Sequence, residues 1–265
     1  MNAIQDQAKF KARDYRRLDK YLRSEIEDVA GYLNPTDAMA IAALGKFQTA
    51  NGIPGDMCEL GVHHGRLFFI LAHLRRDGEQ ALAVDLFEDG PGNDNDMHRG
   101  RNKYFFWHID RMSVPEPAVI TGNTLELSAL HLFDRIGPAR IISVDAGHLY
   151  DEVDNDLRLA ANILHSHGVI IADDYFNIYW PDVTTATNDF LAENTELTPF
   201  LITEGKLYIC RKADMELYQR FADAFVAQGS IKHRTVELNK STITAARLSA
   251  KGAIRHRFRG FLPRA

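Results

Sequence analysis

The chain has 265 residues, with 31 Lys and Arg against 36 Asp and Glu, so its net charge is −5. Hydrophobic residues make up 45% and charged residues 25%, a balance that excludes a disordered chain. The acidity gives no support to a protein that grips nucleic-acid phosphates. The charge is also unevenly spread. Seven Lys or Arg and no acid lie between Leu238 and Ala265. The first 237 residues hold 24 basic and 36 acidic groups, so the body sits at −12 and the tail at +7.

The two cysteines, Cys58 and Cys210, lie inside the apolar runs MCELGV and LYIC, where a buried reduced thiol is the usual outcome. A disulfide framework is excluded, and a cytoplasmic compartment is expected. The N-terminal stretch MNAIQDQAKFKARDYRRLDKYL is charged throughout, unlike a signal peptide. No apolar run approaches the ~20 residues needed to span a bilayer, so no membrane span is expected.

Along the chain, Phe10, Tyr15, Leu18, Leu22 and Ile26 recur at spacings of three to five, which predicts an amphipathic helix over 5–31. A second helix opens at Asn34-Pro35-Thr36-Asp37 and runs to about residue 50. Short β-rich runs then alternate with helical stretches. Strands are expected at 57–62, 81–87, 118–121, 140–145, 168–173, 200–203 and 207–211, with helices near 65–76, 97–112, 125–135, 151–166 and 182–194. Such alternation implies right-handed βαβ units and a mainly parallel sheet with helices on both faces. Glu204-Gly205-Lys206 separates the last two runs and reads as a tight hairpin, which makes the final strand antiparallel. One sheet domain at 53–228 is therefore expected, after a helical extension at 1–52 and before a basic tail at 229–265.

Ligands of an open parallel sheet bind beyond the carboxyl ends of its strands, so polar residues at those ends carry the functional signal. The first strand leads into Glu59-Leu60-Gly61-Val62-His63-His64-Gly65. Gly61 and Gly65 allow a sharp turn and a close backbone approach, although a plain strand-to-helix turn has the same pattern. The spacing is not the Gly-x-Gly-x-x-Gly of dinucleotide enzymes. Asp85, ending the second strand, is placed to accept hydrogen bonds from a ribose. After the third strand, Asn123 and Thr124 form a small polar loop that would face an adenine.

The densest cluster lies at the fourth and fifth strands, which end Asp145-Ala146-Gly147-His148 and Asp173-Asp174-Tyr175. Neighbouring parallel strands bring Asp145, Asp173 and Asp174 together, and three such carboxylates repel one another unless a cation compensates. Mg²⁺, an oxygen-seeking ion that keeps open positions, would resolve this. His148 is placed to take a proton from a substrate hydroxyl. The bland alternative leaves Asp173-Asp174 as a cap and His148 as a satisfied loop residue. Tyr150, Tyr175, Tyr179 and Trp180 are candidate walls for an acceptor, since sugar rings pack on aromatic faces. Aromatic runs of this kind more often pack in cores. The acidic stretch 88–96 reads equally as a lid or a solvated loop.

In order, ELGVxxG, VD, VDAGHLYDE and GVIIADDY resemble class I S-adenosylmethionine (SAM)-dependent methyltransferases. They are most similar to the metal-dependent macrocin and mycinamicin sugar O-methyltransferases, over roughly residues 56–211. The resemblance implies a Rossmann-like, mostly parallel seven-stranded α/β sheet with an antiparallel last strand. It implies that Glu59, Gly61 and Gly65 hold the methionine part of SAM, Asp85 its ribose, and Asn123 and Thr124 its adenine. It also implies Asp145, Asp173 and Asp174 as ligands of Mg²⁺ and His148 as base. Many relatives carry a second acid, Asp-Gly-Asp-His, where this chain has Gly147.

The expectation is thus a SAM- and Mg²⁺-dependent O-methyltransferase of a sugar- or polyol-like small molecule, with homo-oligomerisation compatible and no nucleic-acid partner. The rivals are an NAD(P)-dependent oxidoreductase and a non-catalytic SAM- or partner-binding protein. The basic tail reads as a solvated or subunit-docking segment, or as a contact for an anionic acceptor or an acidic partner.

Overall fold

A computed structural model describes residues 14–87, 102–249 and 252. Among these residues, nine strands form one sheet in the order β3-β2-β1-β4-β5-β7-β6-β9-β8. The strands are β1 (Asp56–Leu60), β2 (Ala81–Asp85), β3 (Ala118–Thr121), β4 (Ala139–Val144), β5 (Leu164–Asp173), β6 (Leu197–Ile202), β7 (Lys206–Arg211), β8 (Ile231–Leu238) and β9 (Ser241–Leu248). The first five are parallel, while β7 runs antiparallel between β5 and β6. The expected Rossmann-like architecture is present, with nine strands in place of seven.

The two additional strands come from the stretch expected to be a basic tail. Leu238 pairs with Ser241, and Asn239 and Lys240 between them both have positive φ (50° and 62°). That is the backbone of a two-residue hairpin turn whose twist matches its strands. The hairpin joins the sheet through β9, which pairs in parallel with β6 at Leu201 and Ile202. The remaining tail basics from Lys251 onward lie outside the described residues, as does the stretch 88–96.

Among the described residues, eight helices flank the sheet: α1 (Arg16–Lys20), α2 (Pro35–Ala50), α3 (Phe68–Leu74), α4 (Asn102–Met112), α5 (Ala129–Phe133), α6 (Tyr150–Ile163), α7 (Pro181–Glu193) and α8 (Met215–Val226). Of the helix expected over 5–31, the described part is α1 followed by a π turn at Tyr21–Glu25 and a 3-10 turn at Ile26–Asp28. Residues 5–13 are outside the described residues. Helix α8 was not anticipated, although Tyr218, Phe221, Ala222 and Phe225 fall at helical spacing on its buried side.

Strand residues alternate between two cores. Met57, Ala83, Ile141 and Ile171 pack with α2, α3 and α8, whereas Cys58, Leu82, Ile142 and Ile170 pack with α6 and α7. Both cysteines are free and buried. No described helix is long and apolar enough to cross a membrane.

A charged residue of β4 is sealed in the sheet. Arg140 is fully buried, and its guanidinium donates to Glu79 (3.1 and 3.2 Å), Gln48 Oε1 (2.9 Å) and the Leu74 carbonyl (3.1 Å). Gln48 returns a bond to the Arg140 carbonyl at 2.8 Å, tying α2 to β4. Removing one partner of such a network strands the others without water. Arg140→Met is expected to cost on the order of 3–5 kcal/mol, read by urea denaturation. A loss within experimental error would refute this role.

Candidate active site

A cavity of about 620 Å³ opens at the carboxyl ends of β1, β2, β4 and β5, where the chain order reverses between β1 and β4. The local sequence explains its floor. Gly61 has φ +86°, and a Cβ there would stand 2.1 Å from the Asp145 carbonyl oxygen. Only glycine lets the loop after β1 lie against the end of β4. Gly65 has φ +94°, and a Cβ would meet the Phe69 ring at 2.6 Å. Gly65 thus seats α3 and does not itself line the cavity.

Glu59, Gly61, Asp85, Asn123 and Thr124 all line the cavity. Asp85 Oδ2 accepts the amides of Val62 (2.8 Å) and His63 (2.7 Å), and its Oδ1 accepts that of Phe87 (2.8 Å). It therefore braces the first loop, in which His63 is held at φ +53°. Burial pushes the Glu59 carboxyl well above its ordinary pKa, and Glu59 Oε2 has no hydrogen-bond partner among the described residues. Asn123 Oδ1 caps a short 3-10 turn by accepting the Leu125 amide at 3.0 Å. Asn155 on α6 donates to the Thr124 carbonyl at 3.0 Å, fixing this loop to the helix.

Beyond β4 and β5, His148 Nε2 lies 3.0 Å from Asp174 Oδ2, and its ring packs at a 32° tilt against Trp180, centroids 4.6 Å apart. Asp174 Oδ1 accepts from Asn177 Nδ2 at 2.8 Å. Despite burial, these bonds to His148 and Asn177 hold the Asp174 carboxyl below its usual range. Asp174 sits at φ +53°, a sparsely populated conformation of the kind that collects at functional sites. Donor atoms of Asp145, His148 and Asp174 lie within 4.8 Å of one another, a spacing suited to a single hard cation.

Asp173 stands apart from that trio. Its Oδ2 is 2.7 Å from Nζ of Lys206, which is 1% exposed. Burial opposes the Lys206 charge, but Asp173, Asp145 and Asp37 outweigh it and raise the ammonium pKa. Burial above all, with the adjacent Asp173 adding to it, pushes the Asp145 carboxyl well above its ordinary range. Sequence reasoning expected a cation to relieve this cluster. The fold supplies part of that cation as a lysine from an antiparallel strand, a partner set by β5–β7 register, in which Asp173 faces Lys206.

Glu152 was also missed. Its Oε2 accepts the amides of His148 and Leu149, both at 3.1 Å, and it lines the cavity. A Cβ at Gly147 would lie 2.5 Å from that oxygen, so Glu152 fills the space left by the absent second acid. Its signal was its place in the first turn of α6, where a carboxylate caps free amides. The N-terminal segment contributes Ala30, Gly31 and Tyr32 to the wall, with Arg66 donating to the Gly31 carbonyl at 2.8 Å.

Of the four aromatics expected to form an acceptor wall, Tyr179 and Trp180 line the cavity. Tyr150 and Tyr175 do not, which corrects that expectation. The first turn of α6 carries the Tyr150 hydroxyl to Asp189 on α7 (3.0 Å), and Tyr175 is buried with its hydroxyl on Asn188 (2.7 Å).

Residues 58–175 match a family described as a methyltransferase domain. The O-methyltransferase NovP superposes with a TM-score of 0.60 at 16% identity, covering 74% of this chain and 97% of NovP. CalS11, a TDP-rhamnose 3′-O-methyltransferase of calicheamicin biosynthesis, gives a TM-score of 0.54 at 19% identity, over 76% of this chain and 93% of CalS11. At such identities the likeness is one of fold. No curated protein sequence matches the chain.

Asp156, buried on α6, faces the Asn155 and Thr124 side chains and the Gly147 amide. Burial outweighs these partners and pushes its carboxyl up to about 6. A carboxyl that titrates near 6 when folded and near ~3.9 when unfolded stabilises the fold below about pH 4, and that contribution is lost as pH rises through about 6. It amounts to on the order of 3 kcal/mol. Asp156→Asn should therefore gain on the wild type by about that amount between pH 4 and 7, measured by denaturation at each pH. A wild-type-to-variant difference that stays constant across this range would refute the assignment.

Proposed function

We propose that this chain, a class I SAM-dependent methyltransferase by its domain match and fold, transfers the methyl group to a hydroxyl of a sugar-like small molecule. The observation that carries this reading is the His148–Asp174 pair lining the same cavity as Glu59 and Asp85. When bound, SAM supplies an electrophilic methyl on a sulfonium. The buried, unpartnered Glu59 Oε2 suits the ammonium of its methionine part, and the Asp85 carboxylate suits its ribose. Asn123 and Thr124 would flank the adenine.

His148 would take the hydroxyl proton as the oxygen attacks the methyl in line. Asp174 fixes the imidazole orientation and stabilises the imidazolium that forms. Trp180 holds the ring from its face and, with Tyr179, offers an apolar surface to a sugar. Asp145 and Asp174 fit a divalent cation through their oxygen donors, and such an ion would lower the pKa of the acceptor hydroxyl. The name of CalS11 as a sugar methyltransferase supports a sugar acceptor here. The oxidoreductase reading is disfavoured by the loop after β1, which lacks the dinucleotide glycine pattern and is braced by Asp85.

Isothermal titration should show binding of SAM and not of NAD, and Asp85→Ala should weaken SAM binding at least about tenfold, by ~1.4 kcal/mol. His148→Ala should lower kcat by about 10²–10⁴ with SAM affinity nearly unchanged. Binding of NAD in preference to SAM would overturn the reading, and full activity in excess EDTA would remove the cation from it.

A further inference from the structure

Lys206 begins β7, directly after the Glu204-Gly205 turn that sequence reading treated only as a hairpin. Three elements converge on it. Asp173 ends β5 and is its cross-strand partner in the antiparallel register. Asp145 follows β4. Asp37, on the first turn of α2, is buried and receives a hydrogen bond from the Thr203 hydroxyl. The turn itself is tightly seated, since a Cβ at Gly205 would come within 3.2 Å of Asp37 Oδ2 and 3.7 Å of Asp173 Oδ1.

An ammonium sealed in this way is tolerated only when its charge is matched, because desolvation costs several kcal/mol per ion. The 2.7 Å contact with Asp173 Oδ2 is that match. A divalent ion that engaged Asp173 would have to share this carboxylate with a cation that cannot withdraw to water. The donor atoms that cluster for a cation leave Asp173 out and comprise Asp145, His148 and Asp174.

We propose that Lys206 is a built-in counter-cation that withholds Asp173 from the metal and holds it against Asp145. The divalent ion is thereby confined to Asp145 and Asp174, beside His148. Lys206 is thus a positioning residue. The inference rests on the cation reading above and departs from the ligand set implied by the sequence resemblance, in which Asp173 binds the metal. A site with one fixed charge and two remaining carboxylates also needs less compensation than three bare acids, so the ion's hold on the protein is correspondingly modest.

The test is Mn²⁺ binding to the full-length protein without turnover, followed by electron paramagnetic resonance of the free ion. Asp145→Asn and Asp174→Asn should each weaken Mn²⁺ binding at least about tenfold (~1.4 kcal/mol). Removing either member of the Lys206–Asp173 pair alone leaves a buried charge and risks the fold. The informative variant is therefore the double replacement Asp173→Asn with Lys206→Met, checked for folding by circular dichroism. It should bind Mn²⁺ within about threefold of the wild type.

A double variant that folds yet loses Mn²⁺ as severely as Asp145→Asn would overturn the inference alone, because Asp173 would then be a ligand. A wild type that binds no Mn²⁺ would instead overturn the cation reading itself and this inference with it.

Discussion

The contact on which the site depends is the one between Gly61 and the Asp145 carbonyl. With a Cβ at Gly61 only 2.1 Å from that oxygen, no other residue allows the loop after β1 to rest on the end of β4. The Asp145 amide donates back to Leu60 at 2.8 Å, and the Gly61 amide donates to Val84 at 2.8 Å. Three strand ends are thus locked at the point where the chain order reverses. The residues suited to a nucleoside ligand lie on one side of this lock, and those suited to proton transfer lie on the other. Their separation is set by backbone, which is stiff, and not by long side chains.

Charge is the second constraint. Glu59, Asp85, Asp145, Asp173 and Asp174 all face one cavity, and five ionised carboxylates there would destabilise the fold. The molecule resolves this by different means at different residues. Asp85 is satisfied by three backbone amides. Asp173 has a buried lysine, Asp174 has His148 and Asn177, and burial pushes Asp145 toward its neutral form. Glu59 Oε2 has no hydrogen-bond partner among the described residues, and Glu59 lines the cavity. The acidity of these five cavity residues is therefore mostly answered by protein groups.

How much of this was legible depended on sequence distance. The parallel strands and their terminal residues were readable because each is an apolar run ended by Gly, Asp or both, and topology alone places such ends at one edge. Gly61, Asp85, Asn123 and His148 were assigned to one edge in that way, and all four line the cavity. Lys206 was not, because its partner is fixed by antiparallel register between β5 and β7, and residues 173 and 206 share no local pattern. The β8–β9 hairpin was hidden for a different reason. Asn239-Lys240 lacks the glycine that usually marks such a turn, and its basic residues suggested a solvated tail. Tyr150 and Tyr175 were misplaced because proximity in sequence to Asp145 and Asp174 says nothing about side-chain direction. One turn of helix and one strand end were enough to point both away from the cavity.

Helix α6 shows how the two halves of the site are coupled. In its first turn Glu152 accepts the amides of His148 and Leu149, which fixes the loop that carries the proposed base. One turn later Asn155 donates to the Thr124 carbonyl, which fixes the loop proposed to meet the adenine. Both bonds come from one rigid element whose apolar side, including Val153, Leu157 and Ala160, is packed into the core. A shift of α6 would therefore carry the base loop and the cofactor loop together and preserve their spacing. In-line methyl transfer of the kind proposed would require such a spacing to be held, and α6 is the element that holds it.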